Sequence, residues 1–354
     1  MERPLFYSLS PKSLKSFLES NGQKAFVATQ ILKWVYEKYE FNPENWTNIS
    51  KNLKDLLLEN FDFNLPRIVW NGLSKDGTRK FLVAMRDDKT VETVMIPARS
   101  NRKTLCVSSQ VGCAIGCTFC HTGTMGLMRH LEAGEIIGQF LAVTKFLRDK
   151  VGPEERLSNV VFMGQGEPLH NFENVKVATE LMVNEKALGL SQRRVTISTS
   201  GLVPQIKKLD DFPPVNIAIS LHAAHNDIRT ELMPINKAFD LDRLLGAIKE
   251  IPLKAHRYIT YEYLLIDQYN DRAEDVTALL NLLPKKVSKI NLIPFNEYPE
   301  SNFKRPSVSR INWFKNQLED GGITTTIRTT KGSDILAACG QLKSELEKDA
   351  NLWD

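Results

Sequence analysis

From about residue 104 onward, short apolar, β-branched runs alternate with helical stretches, and no other feature limits the fold as strongly. Leu105 to Ser109, Asn159 to Met163, Arg194 to Ser198, Val215 to Leu221, Tyr258 to Leu265 and Ile290 to Ile293 read as strands, each flanked by helical sequence. Six β/α units in a row predict an α/β fold with a parallel sheet, open or partly closed as a barrel. Polar and glycine-rich motifs follow the strands: Gly164-Gln-Gly-Glu-Pro-Leu169, Ser198-Thr-Ser-Gly201 and His222. In parallel α/β folds, ligands bind at the carboxyl edge of the sheet. Cys113, Glu167, Ser198, His222 and Asn296, distant in sequence, are therefore expected to meet at one site.

The most reactive stretch follows the first of these strands. Cys113-Ala-Ile-Gly-Cys117-Thr-Phe-Cys120 places three cysteines in a Cys-x3-Cys-x2-Cys spacing. Three thiolates leave a four-ligand zinc site incomplete. They suffice for three irons of a cubane [4Fe–4S] cluster, whose fourth iron then stays open to a small molecule. Zinc would need His121 as the fourth ligand, and its place beside Cys120 makes a tetrahedron awkward to close. The chain has five cysteines, an odd number, and its first residues lack the basic-then-apolar layout of a secretory leader. A reducing compartment, the cytoplasm, is the expected setting. No apolar stretch is long enough to span a bilayer, so no membrane is expected.

Residues 1–66 read as a small helical domain. Ser10 is placed to cap a helix that starts at Pro11. Phe26, Ile31, Trp34 and Val35 give one apolar face to a second helix running through Tyr39. Leu53, Leu56, Leu57 and Phe61 do the same for a third. Ile68 to Trp70 and Thr78 to Met85 predict strands around the turn Ser74-Lys-Asp-Gly77, and Val91 to Ile96 adds another. These form a short antiparallel extension over 67–97. The core follows over 98–300, and 301–354 forms a C-terminal segment with a strand at Thr324 to Arg328 and the isolated Cys339. By itself Glu92 is an ordinary solvated strand residue. A net charge of +4 says little about partners. Local basic groups say more: Arg99, Arg102 and Lys103; Arg193 and Arg194; Lys285, Lys286 and Lys289; Lys304 and Arg305; Arg328 and Lys331. On one face they would form a phosphate footprint.

The segment from Cys106-Val-Ser-Ser-Gln-Val-Gly-Cys113 through Phe119-Cys120 resembles the radical S-adenosylmethionine enzymes. With Val91-Glu-Thr-Val and Ala338-Cys339-Gly340-Gln-Leu, nearly the whole chain resembles the RlmN/Cfr family of RNA adenine methyltransferases. The resemblance implies a partial (β/α)6 barrel with one [4Fe–4S] cluster on Cys113, Cys117 and Cys120. It implies that S-adenosylmethionine, two molecules per turnover, is held by Gly166, Glu167, Ser198, Ser220, Leu221, His222 and Asn296. It implies that Cys339 carries a methyl group as S-methylcysteine. The resemblance further implies that a 5′-deoxyadenosyl radical takes hydrogen from that group and that the carbon adds to adenine as a protein–RNA thioether. By the same resemblance, Cys106 is expected to resolve the adduct by forming a disulfide with Cys339, and Glu92 matches the position of the proton acceptor.

The implied partners are 23S rRNA, tRNA at the adenine beside the anticodon, and a flavodoxin- or ferredoxin-type electron donor; a monomer is expected. Gly166-Glu-Pro168 and Ser198-Thr-Ser-Gly201 resemble the carbon-2 branch of the family rather than the carbon-8, antibiotic-resistance branch. Gln165 stands where Met is usual, and Gly123-Thr-Met-Gly-Leu-Met-Arg-His130 also departs from the best-known carbon-2 members. A non-catalytic RNA-binding protein with a structural metal is the reading from another class. It would be colourless and would consume no S-adenosylmethionine.

Overall fold

The computed structural model describes residues 3–98, 100–251, 253, 257–298 and 301–342. Arg99, Met1, Glu2 and the end of the C-terminal segment lie outside the described residues.

The N-terminal region is helical, as its apolar spacing predicts. Ser10 Oγ accepts from Ser13 N at 3.0 Å and caps α1 (Pro11–Ser20), which buries Leu14 and Leu18. Helix α2 (Phe26–Tyr36) buries Ile31 and Val35, and α3 (Lys51–Asn60) buries Leu53 and Leu57. Two expectations fail here. Phe26, expected on the apolar face, begins α2 and is 59% exposed. The helix also ends before Tyr39. Lys38 N–H donates back to Lys33 O, and Tyr39 takes a left-handed φ of 56°, which turns the chain out of the helix. Trp46 is fully buried and meets Phe63 edge-on, with ring centroids 5.6 Å apart. The bundle packs on helix α4 (Ala133–Lys150). Gly134 N–H donates to Ser8 Oγ at 2.8 Å, and a Cβ on Gly138 would stand 2.5 Å from Pro66 Cδ.

Strands β1 (Arg67–Leu73), β2 (Arg79–Ala84) and β3 (Thr90–Pro97) are antiparallel, and β3 pairs antiparallel with β4 (Lys103–Cys106). The extension is thus one end of the main sheet. Strands β5 (Gln110–Gly112) and β6 (Leu127–His130) form a separate antiparallel pair that brackets the cysteine loop, a pairing that strand periodicity does not reveal. Beyond them, β7 (Asn159–Phe162), β8 (Val195–Thr199), β9 (Asn216–Ser220), β10 (Ile259–Leu265), β11 (Ser288–Pro294) and β12 (Thr324–Ile327) continue in parallel from β4. The ten-stranded order is β1-β2-β3-β4-β7-β8-β9-β10-β11-β12, so the sheet stays open, with β1 and β12 at its edges. The intervening helices include α5 (Phe172–Val183), α6 (Val203–Ile206), α7 (Asn226–Leu232), α8 (Leu241–Lys249), α9 (Ala273–Leu282) and α10 (Val308–Asp320). The parallel arrangement puts the carboxyl ends of β7 to β11 on one edge, as the strand–helix alternation predicts. The strand in the tail joins that sheet beside β11, so the sheet runs past residue 300.

Candidate active site

The cysteine loop owes its shape to glycines that admit no side chain. Gly112 has φ 75°, and a Cβ there would fall 1.8 Å from Gly126 O; a Cβ on Gly123 would stand 2.8 Å from Cys117 O. Cys113 N–H donates to Gly126 O at 2.9 Å, Cys120 N–H to Cys117 O at 3.2 Å, and Thr118 N–H to Leu232 O at the end of α7 at 3.0 Å. The three thiols line one cavity. Burial pushes Cys113 up to about 12, and Cys117 well above its ordinary value. Burial raises Cys120 as well, and the charges of Cys120 and Cys113 further oppose ionisation of Cys117.

Three half-buried cysteines that repel one another as thiolates are a donor set suited to a cationic cluster. Three thiols are one short of a closed structural zinc site and are the donors that would hold a [4Fe–4S] cluster. His121, the possible fourth zinc ligand, stacks on Tyr298 at 5.0 Å.

The strand ends supply the opposite wall. Gly166 has φ 97°, and a Cβ there would overlap Gln110 at 2.5 Å. Glu167 is 3% exposed; one carboxylate oxygen accepts from Ser200 N at 2.7 Å and the other from Leu169 N at 3.0 Å. Burial raises its pKa, while those amides and the Thr199 and Ser200 side chains pull it back. Gly166, Glu167, Ser198, Ser220 and His222 line the same cavity as the three thiols; of the five residues expected to meet, Cys113, Glu167, Ser198 and His222 do so here and Asn296 does not. His222 takes φ 58°, accepts from Leu264 N at 3.0 Å through Nδ1, and meets Phe119 edge-on. Burial, helped by the Arg229 charge, lowers its pKa to about 3. It is neutral, and its Nδ1 contact assigns the proton to Nε2.

Leu221 is fully buried and does not line this cavity; its N–H donates to Glu262 O and its carbonyl accepts from Arg229 Nε. Asn296 is likewise absent from this wall. Its amide donates to Cys339 O at 3.2 Å, and its oxygen accepts from Thr330 at 2.9 Å.

A second cavity lies against the first. Cys106, Glu262, Asn291, Asn296, Arg328 and Cys339 line it, and Cys339, Glu262 and Met163 belong to both walls. Burial raises Cys106 to about 12; the Cys339 charge adds to this and Arg328 opposes it. Burial also raises Cys339, again against Arg328. Arg328 is itself raised, first by Cys339, and stands 3.8 Å from Glu262 and 3.4 Å from Met163 Sδ. All five cysteines are free thiols, so the implied Cys106–Cys339 disulfide is absent from this state.

Glu92 lines neither cavity. The solvated role read from its strand position is wrong: it is 5% exposed and paired with Lys80 at 2.8 Å. Ser108 Oγ donates to its carbonyl at 2.6 Å. The two departures from the family pattern touch each other: Gln165 Nε2 donates to Met125 Sδ at 3.9 Å. Of the expected basic footprint, Arg328 turns into the second cavity, Lys103 pairs with Glu155 at 2.6 Å, and Lys331 lies 3.9 Å from Asp76. Arg193, Arg194, Lys285 and Lys286 stay exposed.

Sequence reasoning missed Glu262 and Arg229. Arg229 has no exposure and donates to the carbonyls of Leu221 at 3.1 Å, Ser200 at 2.8 Å and Ser220 at 3.3 Å, and to Asn236 Oδ1. It ties together the ends of β8 and β9, and burial lowers its pKa to about 10. A helical arginine carries no local signal for this; only the three-dimensional meeting of strand ends reveals it.

Comparison with known proteins agrees with this architecture. The Radical SAM superfamily matches residues 107–282, and the ribosomal RNA large subunit methyltransferase N-terminal domain matches residues 6–62. A dual-specificity RNA methyltransferase RlmN from Saccharophagus degradans is 48% identical, over 96% of this chain and 86% of that protein. The RlmN of Francisella tularensis subsp. novicida is 44% identical, over 97% and 93%. A crystal structure of a radical SAM methyltransferase from Sphaerobacter thermophilus superposes with a TM-score of 0.88 at 38% identity, over 97% of this chain and all of that one. Among the described residues, no helix is long and apolar enough to cross a membrane. The chain belongs to the RlmN family of radical S-adenosylmethionine RNA methyltransferases.

Proposed function

We propose that the protein methylates carbon 2 of one adenine in 23S rRNA and of the adenine beside the anticodon of tRNA, in the cytoplasm. The observation that carries this reading is the pair of adjoining cavities, one holding the three-cysteine loop and the other both spare thiols, with Cys339 in the shared wall. Carbon 2 of adenine is electron-poor and does not attack a sulfonium methyl directly, so a carrier sulfur is needed.

Cys113, Cys117 and Cys120 would hold a [4Fe–4S] cluster, which would supply the electron for reductive cleavage of S-adenosylmethionine to methionine and a 5′-deoxyadenosyl radical. The remaining chemistry belongs to the chain. Glu167 accepts hydrogen bonds from the ammonium group of S-adenosylmethionine, beside the close approach that Gly166 permits. Ser198, Ser220 and neutral His222 are the polar groups for its ribose and adenine, the backbone at Leu221 shapes that wall, and Asn296 holds the carrier segment by its carbonyl.

Cys339 takes a methyl group by displacement from one S-adenosylmethionine, releasing S-adenosylhomocysteine; after hydrogen abstraction by the radical from a second, its carbon would bond to the base in the second cavity. The base radical so formed would give up its carbon-2 proton and one electron, the electron returning to the cluster. Arg328 favours the thiolate of Cys106, which attacks the Cys339 sulfur; the S–S bond forms as the bond from that sulfur to the methylene carbon breaks, and the carbon, leaving with the electron pair, takes up a proton to become the methyl group of the released adenine. Glu92, paired with Lys80, is the proposed proton acceptor. Residues 1–66 present RNA, 67–97 and 301–354 flank the 98–300 core, and a flavodoxin- or ferredoxin-type donor reduces a monomeric enzyme.

Carbon-8 methylation is the less favoured outcome, because Pro168 and Ser200 keep the carbon-2 pattern and the relatives bear the RlmN name. The test is anaerobic turnover on rRNA and tRNA, followed by nucleoside mass spectrometry. The expected product is 2-methyladenosine from both; 8-methyladenosine, or unmodified RNA with an intact cluster, overturns the reading.

A further inference from the structure

The carrier cysteine lies on a segment that the β1–β2 turn grips from outside the catalytic core. The grip is reciprocal. Asp334, on the carrier segment, accepts from Ser74 Oγ at 2.6 Å and from Lys75 N at 3.2 Å, both in the turn. Asp76, in the turn, accepts from Gly332 N on the carrier segment at 3.0 Å, with Lys331 Nζ at 3.9 Å. Each carboxylate thus satisfies backbone of the other partner, an arrangement that fixes register as well as proximity.

The shapes also fit closely. Gly332 has φ 66°, and a Cβ there would meet Ala337 Cβ at 2.8 Å and Thr78 Cγ2 at 2.9 Å. Just past the turn, on β2, Lys80 Nζ contacts Leu336 O at 3.3 Å while pairing with Glu92 on β3 at 2.8 Å. Burial works against ionisation of Asp76, yet hydrogen bonds from Thr78, Gly332 and Ser74 together hold it at about 2. Hydrogen bonds from Ser74 and Lys75 likewise lower Asp334. Both carboxylates are ionised throughout the working range of pH.

The far side of the segment is held by different elements. His121 N–H donates to Gly340 O at 2.8 Å, Thr122 Oγ1 to Leu342 O at 2.6 Å, and Gln341 Nε2 to Glu297 O at 2.7 Å. Cys339 therefore spans two supports: the cluster loop and β11 end on one side, the β1–β2 turn on the other.

We propose that the Ser74–Thr78 turn is a clasp for the carrier segment, with Asp76 and Asp334 as positioning residues that set where the Cys339 sulfur stands between the two cavities. The proposal rests on the carrier role of Cys339 given above. A carbon carrier must meet its donor and then its acceptor at bonding distance, and a misplacement of about 1 Å costs on the order of 100-fold in rate. When the clasp is loosened, the radical still forms but less often finds the S-methyl group.

The test uses full-length, cluster-loaded protein carrying Asp76→Ala, Asp334→Ala, both together, Ser74→Ala and Asp334→Asn. Four quantities are measured: iron content, melting temperature, S-methylation of Cys339 by intact mass without RNA, and the ratio of 5′-deoxyadenosine formed to adenine methylated. Iron content is expected to stay at the unsubstituted value. Methylation of RNA falls on the order of 10- to 100-fold, and the ratio of 5′-deoxyadenosine to product rises. The double variant is no worse than the more severe single one, because both remove the same clasp. Asp334→Asn, which keeps an acceptor oxygen, recovers much of the coupling.

If both products fall in proportion to folded protein, with the ratio unchanged, the residues are merely structural and the proposal fails. Full coupling in the double variant overturns it too. Failure of the underlying carrier reading is seen separately, as unsubstituted protein that never acquires a methyl group on Cys339.

Discussion

The two sets of cysteines are built in opposite ways. Cys113, Cys117 and Cys120 come from one loop, closed by its own backbone bonds and by glycines that admit no side chain. Cys106 and Cys339 come from β4 and the C-terminal segment, and meet only because the sheet, the β1–β2 turn and the cluster loop bring them to one cavity. A cluster needs three sulfurs at fixed spacing, which local sequence encodes well. A carbon relay needs two sulfurs that approach and part, which suits segments joined only through tertiary contacts. The difference separates a fixed electron-delivery end from an adjustable chemical end of the same site.

The sharpest way to break this division is Cys339→Ala. Methylation of RNA is expected to vanish while the iron and visible absorption of the purified protein persist. Loss of the cluster would merge the two sets. Cys106→Ala is expected to stop after one event per enzyme and to leave RNA covalently attached, visible as a shifted band on a denaturing gel. In the unsubstituted enzyme, the buried Cys106 thiol at about 12 is mostly protonated at neutral pH. Adduct release should therefore quicken as pH rises from 7 to 9, up to roughly tenfold per unit while the thiolate is scarce; a flat profile would remove Cys106 from the resolving step.

Arg229→Met probes the framework shared by both sets. It leaves several buried carbonyls unpaired, for a stability loss on the order of 3 kcal/mol or more by chemical denaturation. The smallest effect, over the window from pH 6.5 to 5, concerns His222. Its folded pKa of about 3 lies below the ordinary 6.5, so the unfolded chain binds the extra proton between those values. That stability is present above pH 6.5 and drains away as pH falls toward 3, by up to about 1.4 kcal/mol per unit. His222→Asn should flatten the slope between pH 6.5 and 5; an unchanged slope would place the titration elsewhere.

Much of the first region was legible before any coordinates. The cysteine spacing, the Ser10 cap and the polar residues at strand ends each follow from local rules, and the parallel sheet turned strand ends into one wall. The second region was legible only through resemblance. Strand alternation does not tell whether Glu262 faces a cavity or solvent, and it misjudged Glu92, which is buried beside Lys80. Phe26 had the spacing of a core residue but sits on the first turn of its helix, where the face is not yet covered. Ser74 and Asp334 are separated by almost the whole catalytic unit, so no window of sequence pairs them.

One backbone bond joins the two ends of the chemistry: the residue after the last cluster cysteine, His121, donates its N–H to Gly340, next to the carrier thiol. Whatever unravels the iron-binding loop therefore also tugs on the arm that loads and unloads carbon. Carbon transfer and electron delivery are thus tied to the same short stretch of backbone.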